Sequence, residues 1–114
     1  MGKTLNHKTL NQSMNDLLNE HASRLAEIGR EYELAELALF DDHLHEQYSD
    51  AGRIGVIFAW RKPSDATLEK LFGLEDSLSE ELGSEVQASN RDLLKPEYRE
   101  VFLKHRRIVY AHLG

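Results

Sequence analysis

Apolar residues recur at helical spacing from Met14 to Tyr32: Met14, Leu17, Leu18, Ala22, Leu25, Ile28 and Tyr32 form one stripe. Ser13 stands before the run as an N-cap, with Asp16 three residues on. Gly29 lowers helix propensity near the end. The pattern predicts a helix over Met14–Tyr32. The next stretch, "ELAELALF", is ambiguous. Leu37 and Leu39 alternate as on a strand, whereas Glu, Leu and Ala favour a helix. "RIGVIFAW" (Arg53–Trp60) is a clear strand, β-branched, aromatic and closed by "RKPSD". Its nearly unbroken apolar run predicts a central strand buried on both faces. Ser64 caps a predicted helix over Asp65–Leu82, with Leu68, Leu71, Phe72, Leu78 and Leu82 inward and Gly83 as the stop. "EVQAS" (Glu85–Ser89) is a short strand. A last helix begins at Asp92 or Lys95, with Pro96 in its first turn and Tyr98, Val101, Phe102 and His105 inward. "IVY" (Ile108–Tyr110) fits either a terminal edge strand or a frayed helix end.

Met1–Gln12 is polar and aperiodic and reads as a flexible leader to one domain over residues 13–114. The "MGKT" there lacks the glycine and strand that a phosphate-binding loop needs upstream. The segment also lacks the apolar run of a signal peptide. No stretch has the length of a membrane span, and the expected location is the cytoplasm. The absence of cysteine excludes disulfides, thiolate catalysis and zinc–cysteine sites. A net charge of -6 makes nucleic acid an unfavourable partner. The charge is uneven. Asp65–Glu85 carries seven carboxylates against Lys70 alone, whereas Lys95–His112 carries five Lys and Arg against Glu97 and Glu100. Two solvated helix faces, or a charged interface with a protein partner, would both produce this.

Between the first two strand candidates lies "FDDHLHEQYSD". Asp42, His43, His45 and Glu46 are its metal-ligand candidates, with Asp41 beside them. His43 and His45 share a face only on a strand. On a helix Asp42 pairs with Glu46, and Asp41 with His45. Two or three such ligands with water would hold a divalent metal weakly. The alternative is a solvated polar turn. No nucleophile-elbow motif is present. Trp60, the only tryptophan, suits either a cap on the sheet end or an anchor for a partner.

The sequence "LLNEHASRLAEIGREYELAELALF", followed by "LEKLFGLEDSLSEELGSEVQ" and "LLKPEYREVFLKHRRIVY", resembles the minimal nucleotidyltransferases of the DNA polymerase β-like superfamily. The likeness spans about Met14–Tyr110. It implies an α/β (α+β) fold, a small mixed sheet flanked by helices, and a strand over Glu36–Phe40. In that family the first strand ends in Phe-Gly-Ser, the second carries Asp-x-Asp, and the third one more Asp. Two metal ions held by those carboxylates activate the attacking oxygen and grip the triphosphate. The Gly-Ser turn lets backbone approach phosphate.

Laid on that frame without a gap, Asp41 and Asp42 stand where Gly-Ser belongs. Arg53 and Gly55 stand where the Asp pair belongs, and Gln87 where the third Asp belongs. A cation at 53 and no side chain at 55 cannot hold Mg²⁺. Two carboxylates at the turn would repel a triphosphate. At ~4 Å, like unit charges cost roughly 1 kcal/mol in water and about 4 at an effective dielectric of 20. The resemblance therefore implies a catalytically inactive relative that acts by binding another protein, such as a HEPN-type toxin–antitoxin partner, or by forming a homodimer. No cofactor is expected, save a weakly held divalent metal. The alternative is a divergent nucleotidyltransferase, or a nucleotide- or metal-binding protein using Asp41–Glu46, with Arg53 on phosphate. "RRIVYAH" also matches the loose Arg-x4-His pattern of HEPN ribonucleases at Arg107 and His112. The predicted strands, however, do not suit that all-helical fold.

Overall fold

A computed structural model of the chain describes residues 18–49 and 52–113. The expected leader and the start of the first predicted helix lie outside these residues. The described part of that helix, α1, runs over 18–31. It turns through Glu33 (φ 53°) into β1, Leu34–Phe40. The Asp41–Glu46 region is not a loop but a short helix, α2 (Asp42–Tyr48). There follow β2 (Arg53–Trp60), α3 (Leu68–Leu82), β3 (Glu85–Asn90), α4 (Pro96–Lys104) and β4 (Arg106–Ala111). The sheet order is β3-β2-β1-β4. Strand β1 pairs antiparallel with β2 and β4, and β2 pairs parallel with β3. This is the mixed sheet flanked by helices that the sequence implies. "IVY" resolves as part of the edge strand β4.

Strand β2 is central, and Ile54–Trp60 is buried throughout. Alternate residues serve two cores. Leu37, Leu39, Val56, Phe58 and Val86 face α1 and α3, through Leu25, Ile28, Leu74 and Leu78. Ala38, Phe40 and Ile57 face α2 and α4, through Leu44 and Phe102. The helices α1 and α3 lie antiparallel. His21 Nδ1 meets Glu81 Oε2 at one end, and Tyr32 Oη meets Ser77 Oγ at 3.1 Å at the other. Ala22, expected inward, is exposed.

Helix α3 departs from expectation at its start. Pro63–Asp65 forms a single 3₁₀ turn, and Thr67 rather than Ser64 caps the helix by accepting from Lys70 N. Its far end stops at Gly83 in the left-handed conformation that glycine adopts without strain. Leu74, Leu78 and Leu82 are buried, but Leu68 and Phe72, expected inward, are 67% and 57% exposed. On α4, Tyr98 likewise stays 40% exposed while Phe102 is buried. None of the described helices is long and apolar enough to cross a membrane.

One charged residue is buried in the sheet. Glu36 on β1 is 4% exposed, on the α2/α4 face. Its carboxylate accepts from Arg91 Nη1 at 3.0 Å and from Arg106 Nε, while Arg106 also donates to the Leu103 carbonyl. Glu36→Ala would leave two guanidinium groups confined together. Breaking a fully buried pair typically costs ~3–5 kcal/mol. Arg91 and Arg106 keep partial contact with water, so a cost of about 2–3 kcal/mol is expected here. Urea unfolding would show a lowered midpoint with an unchanged slope. An unchanged midpoint would mean that the cluster is stability-neutral.

Candidate functional site

The positions singled out by the sequence gather at one end of the sheet. This is the end where β1 finishes and the parallel pair β2 and β3 begins. In the ladder Arg53 registers with Glu85, and Gly55 with Gln87. The positions at which the resemblance expects carboxylates are therefore neighbours in space. Arg53 Nε lies 3.6 Å from Glu85 Oε1, so its charge already faces a carboxylate.

Gly55 is covered by an aromatic ring. A Cβ built there would stand 2.1 Å from Phe40 Cδ2 and 2.3 Å from Phe40 Cε2. No side chain fits without displacing that ring. Phe40 is itself 2% exposed and meets Phe102 edge-on at 5.4 Å between ring centres. The ring lies across the strand pair one step beyond Leu39↔Val56, the last registered pair of β1 and β2. An aromatic ring over a cross-strand glycine shields backbone that the glycine leaves bare. The residues present do not fit the divalent metals that the fold family implies. Position 55 has no ligand atom, position 53 is a cation, and the ring of Phe40 occupies the space above Gly55.

Asp41 ends β1 and caps α2. Its Oδ1 accepts from Leu44 N at 2.9 Å, as short polar N-caps do. Its Oδ2 accepts from His105 Nδ1 at 2.9 Å, and its own N–H donates to the His105 carbonyl at 3.0 Å. Asp41 thus ties α2 to the end of α4, and the ring of His43 stacks on His105 at 4.4 Å. A phosphate-binding turn would need N–H groups free at this place. Here the Asp41 carboxylate occupies one of them.

The proposed metal ligands are not brought together. Helical geometry turns His43 toward His105, whereas His45 Nε2 donates to the Arg53 carbonyl at 3.2 Å. Asp42 and Glu46 are exposed. Among the described residues, no three His, Asp or Glu side chains are arranged to hold a metal ion. Sequence reasoning missed Phe40 and His105. Phe40 could be found only from the strand register, and His105 meets Asp41 across 64 residues of chain. The helix itself had one signal, an Asp followed by a run without glycine or proline.

Gly55→Ala is expected to cost about 2–3 kcal/mol, as overpacking does. In the double variant Phe40→Ala/Gly55→Ala the two effects would be less than additive, because they share one contact. Urea midpoints of the three variants measure this. Additive losses would mean that the ring does not occupy the Gly55 site.

No protein-family model matches the sequence, and no curated protein does. Solved structures do resemble the fold. One is described as a "putative minimal nucleotidyltransferase". It is 16% identical, with a TM-score of 0.63, over 80% of this chain and 91% of that one. A second is a doubly mutated form of the toxin–antitoxin MntA-HpeT, 12% identical with a TM-score of 0.61, over 81% and 74% of the two chains. A third is a toxin–antitoxin with AMP-PNP, 11% identical with a TM-score of 0.60, over the same shares. At such identities the likeness speaks to the fold, and on that basis the chain has a minimal-nucleotidyltransferase-like fold.

Proposed function

We propose that this chain is a catalytically inactive nucleotidyltransferase-like protein that acts by binding another protein. The observation that carries the first half is the ring of Phe40 packed on Gly55. It fills the space where a metal-binding carboxylate would project. With Arg53 beside Glu85 and Gln87 in register with Gly55, these positions offer, among the described residues, no carboxylate set for a two-metal mechanism. The binding half draws on the toxin–antitoxin structures that share the fold. It draws also on the opposite charges of the Asp65–Glu85 and Lys95–His112 segments. The partner class in best agreement is a HEPN-type protein. A second copy of the chain is the other candidate.

Incubation with α-labelled ATP or GTP, Mg²⁺ or Mn²⁺ and a co-expressed partner tests the first half. No label should pass to protein or nucleic acid, and nucleotide plus Mg²⁺ should leave the melting temperature unchanged. Stabilisation that requires both nucleotide and Mg²⁺ would overturn the inactive reading and favour Arg53 as a phosphate contact. A zinc-induced stabilisation lost in His43→Ala and His45→Ala would instead assign Asp42, His43, His45 and Glu46 to a weak metal site. Co-purification with the product of an adjacent gene tests the second half.

A further inference from the structure

The end of the sheet opposite the filled site is open. A groove of about 490 Å³ lies where the parallel strands β2 and β3 finish. Phe58, Trp60, Ala88 and Leu71 line it, between the first turn of α3 and the Arg91–Leu93 turn. Two of its lining residues are large apolar side chains left in water, Leu68 at 67% exposed and Leu93 at 78%, and Phe72 stands one helical turn beyond Leu68 at 57%. A contiguous apolar surface of this kind marks an interaction site.

Charge on the α3 side of the groove is mostly negative. Over its first ten residues α3 carries Glu69, Glu75 and Asp76 against Lys70, while Arg61 and Lys62, just past Trp60, lie beside Glu33. Glu75 Oε2 accepts from the N–H of Ala88, one of the lining residues, at 3.3 Å. Asp92 adjoins Leu93, and Glu69 adjoins Leu68. Of the nearby cations, Lys70 is held by Asp65 at 2.8 Å, and Arg91 by Glu36 and Asp92. Lys95 stands past Leu94.

We infer that this groove docks an amphipathic helix of a partner protein, its large aliphatic or aromatic side chains entering over Trp60 and its Lys or Arg residues meeting the acidic α3 lip. Helix-in-groove recognition uses this combination of apolar anchors and complementary charge. The inference rests on the protein-binding reading and assigns it a surface.

Trp60 is the only tryptophan, so its emission reports on the groove directly. The probe is an amidated 16-residue Leu/Lys peptide with leucines at i, i+4, i+7 and i+11. Its control carries Glu in place of Lys. The Leu/Lys peptide should shift Trp60 emission saturably and protect it from acrylamide quenching, and the Leu/Glu peptide should not. Leu68→Glu and Leu93→Glu lie on exposed residues and should keep the far-UV circular dichroism of the parent. Each should weaken Leu/Lys binding by roughly tenfold or more, as loss of an anchor pocket does. Added carboxylates strengthen any purely electrostatic attraction, so equal or tighter binding by these variants overturns the groove. Absence of a saturable change in the parent chain does the same. The two proposals fail separately. A co-purified partner that still binds Leu68→Glu/Leu93→Glu overturns the groove but leaves the binding reading intact. Nucleotidyl transfer by the chain overturns the inactive reading, whatever the peptides do.

Discussion

The contact between Phe40 and Gly55 governs one whole end of this molecule. It requires glycine at 55, because a Cβ would stand inside the ring. It places the Phe40 ring edge-on to Phe102, which brings α4 down on the sheet. Leu44 joins the same cluster and is the only buried residue of α2. A seven-residue helix is too short to be stable alone. Helix α2 is held by the apolar contact of Leu44, the Asp41 cap and the bond from His45 to the Arg53 carbonyl.

A second constraint acts on the same face. Glu36, Ala38 and Phe40 alternate along β1, so the buried carboxylate and the buried ring share a side of the sheet. The guanidinium groups of Arg91 and Arg106 close over Glu36, drawing in the turn after β3 and the start of β4. Burying a charge is costly unless it is paired and hydrogen-bonded, and Glu36 is both. The α1/α3 face, by contrast, is apolar at its centre, with its polar ties at the helix ends.

Local patterns made much of this legible. Strand β2 could be read residue for residue from its β-branched run, and Gly83 from its place after the last periodic leucine. Helix α2 could not, because one buried leucine in seven residues leaves no periodicity to detect. The start of α3 was misread because both Ser64 and Thr67 can cap, and Pro63 holds the first in a 3₁₀ turn. Leu68 lies on the α3 stripe, yet periodicity does not say which residues of a stripe the rest of the fold covers, and Leu68 stays exposed. The neighbourhood of Gly55 and Gln87 follows from the resemblance and the parallel register together. The pairings of Glu36 with Arg91 and Arg106, and of Asp41 with His105, join residues 55 to 70 apart and leave no local trace.

The residues at the filled end are mutually consistent. Carboxylates clustered at 53, 55 and 87 would repel one another unless a cation neutralised them, and a buried phenyl ring offers no such neutralisation. With glycine at 55 and no carboxylate there, the space is apolar and holds the Phe40 ring. An aspartate at 55 would require the ring to leave its contact with Phe102. Two aspartates at 41 and 42 fit the same logic. A phosphate turn must leave its amides free, but here Asp41 spends its oxygens on Leu44 N and His105, locking α2 to α4. Asp41 and Gly55 thus each have a structural use in this chain. This end of the sheet is a packed joint, and the open groove is at the other end.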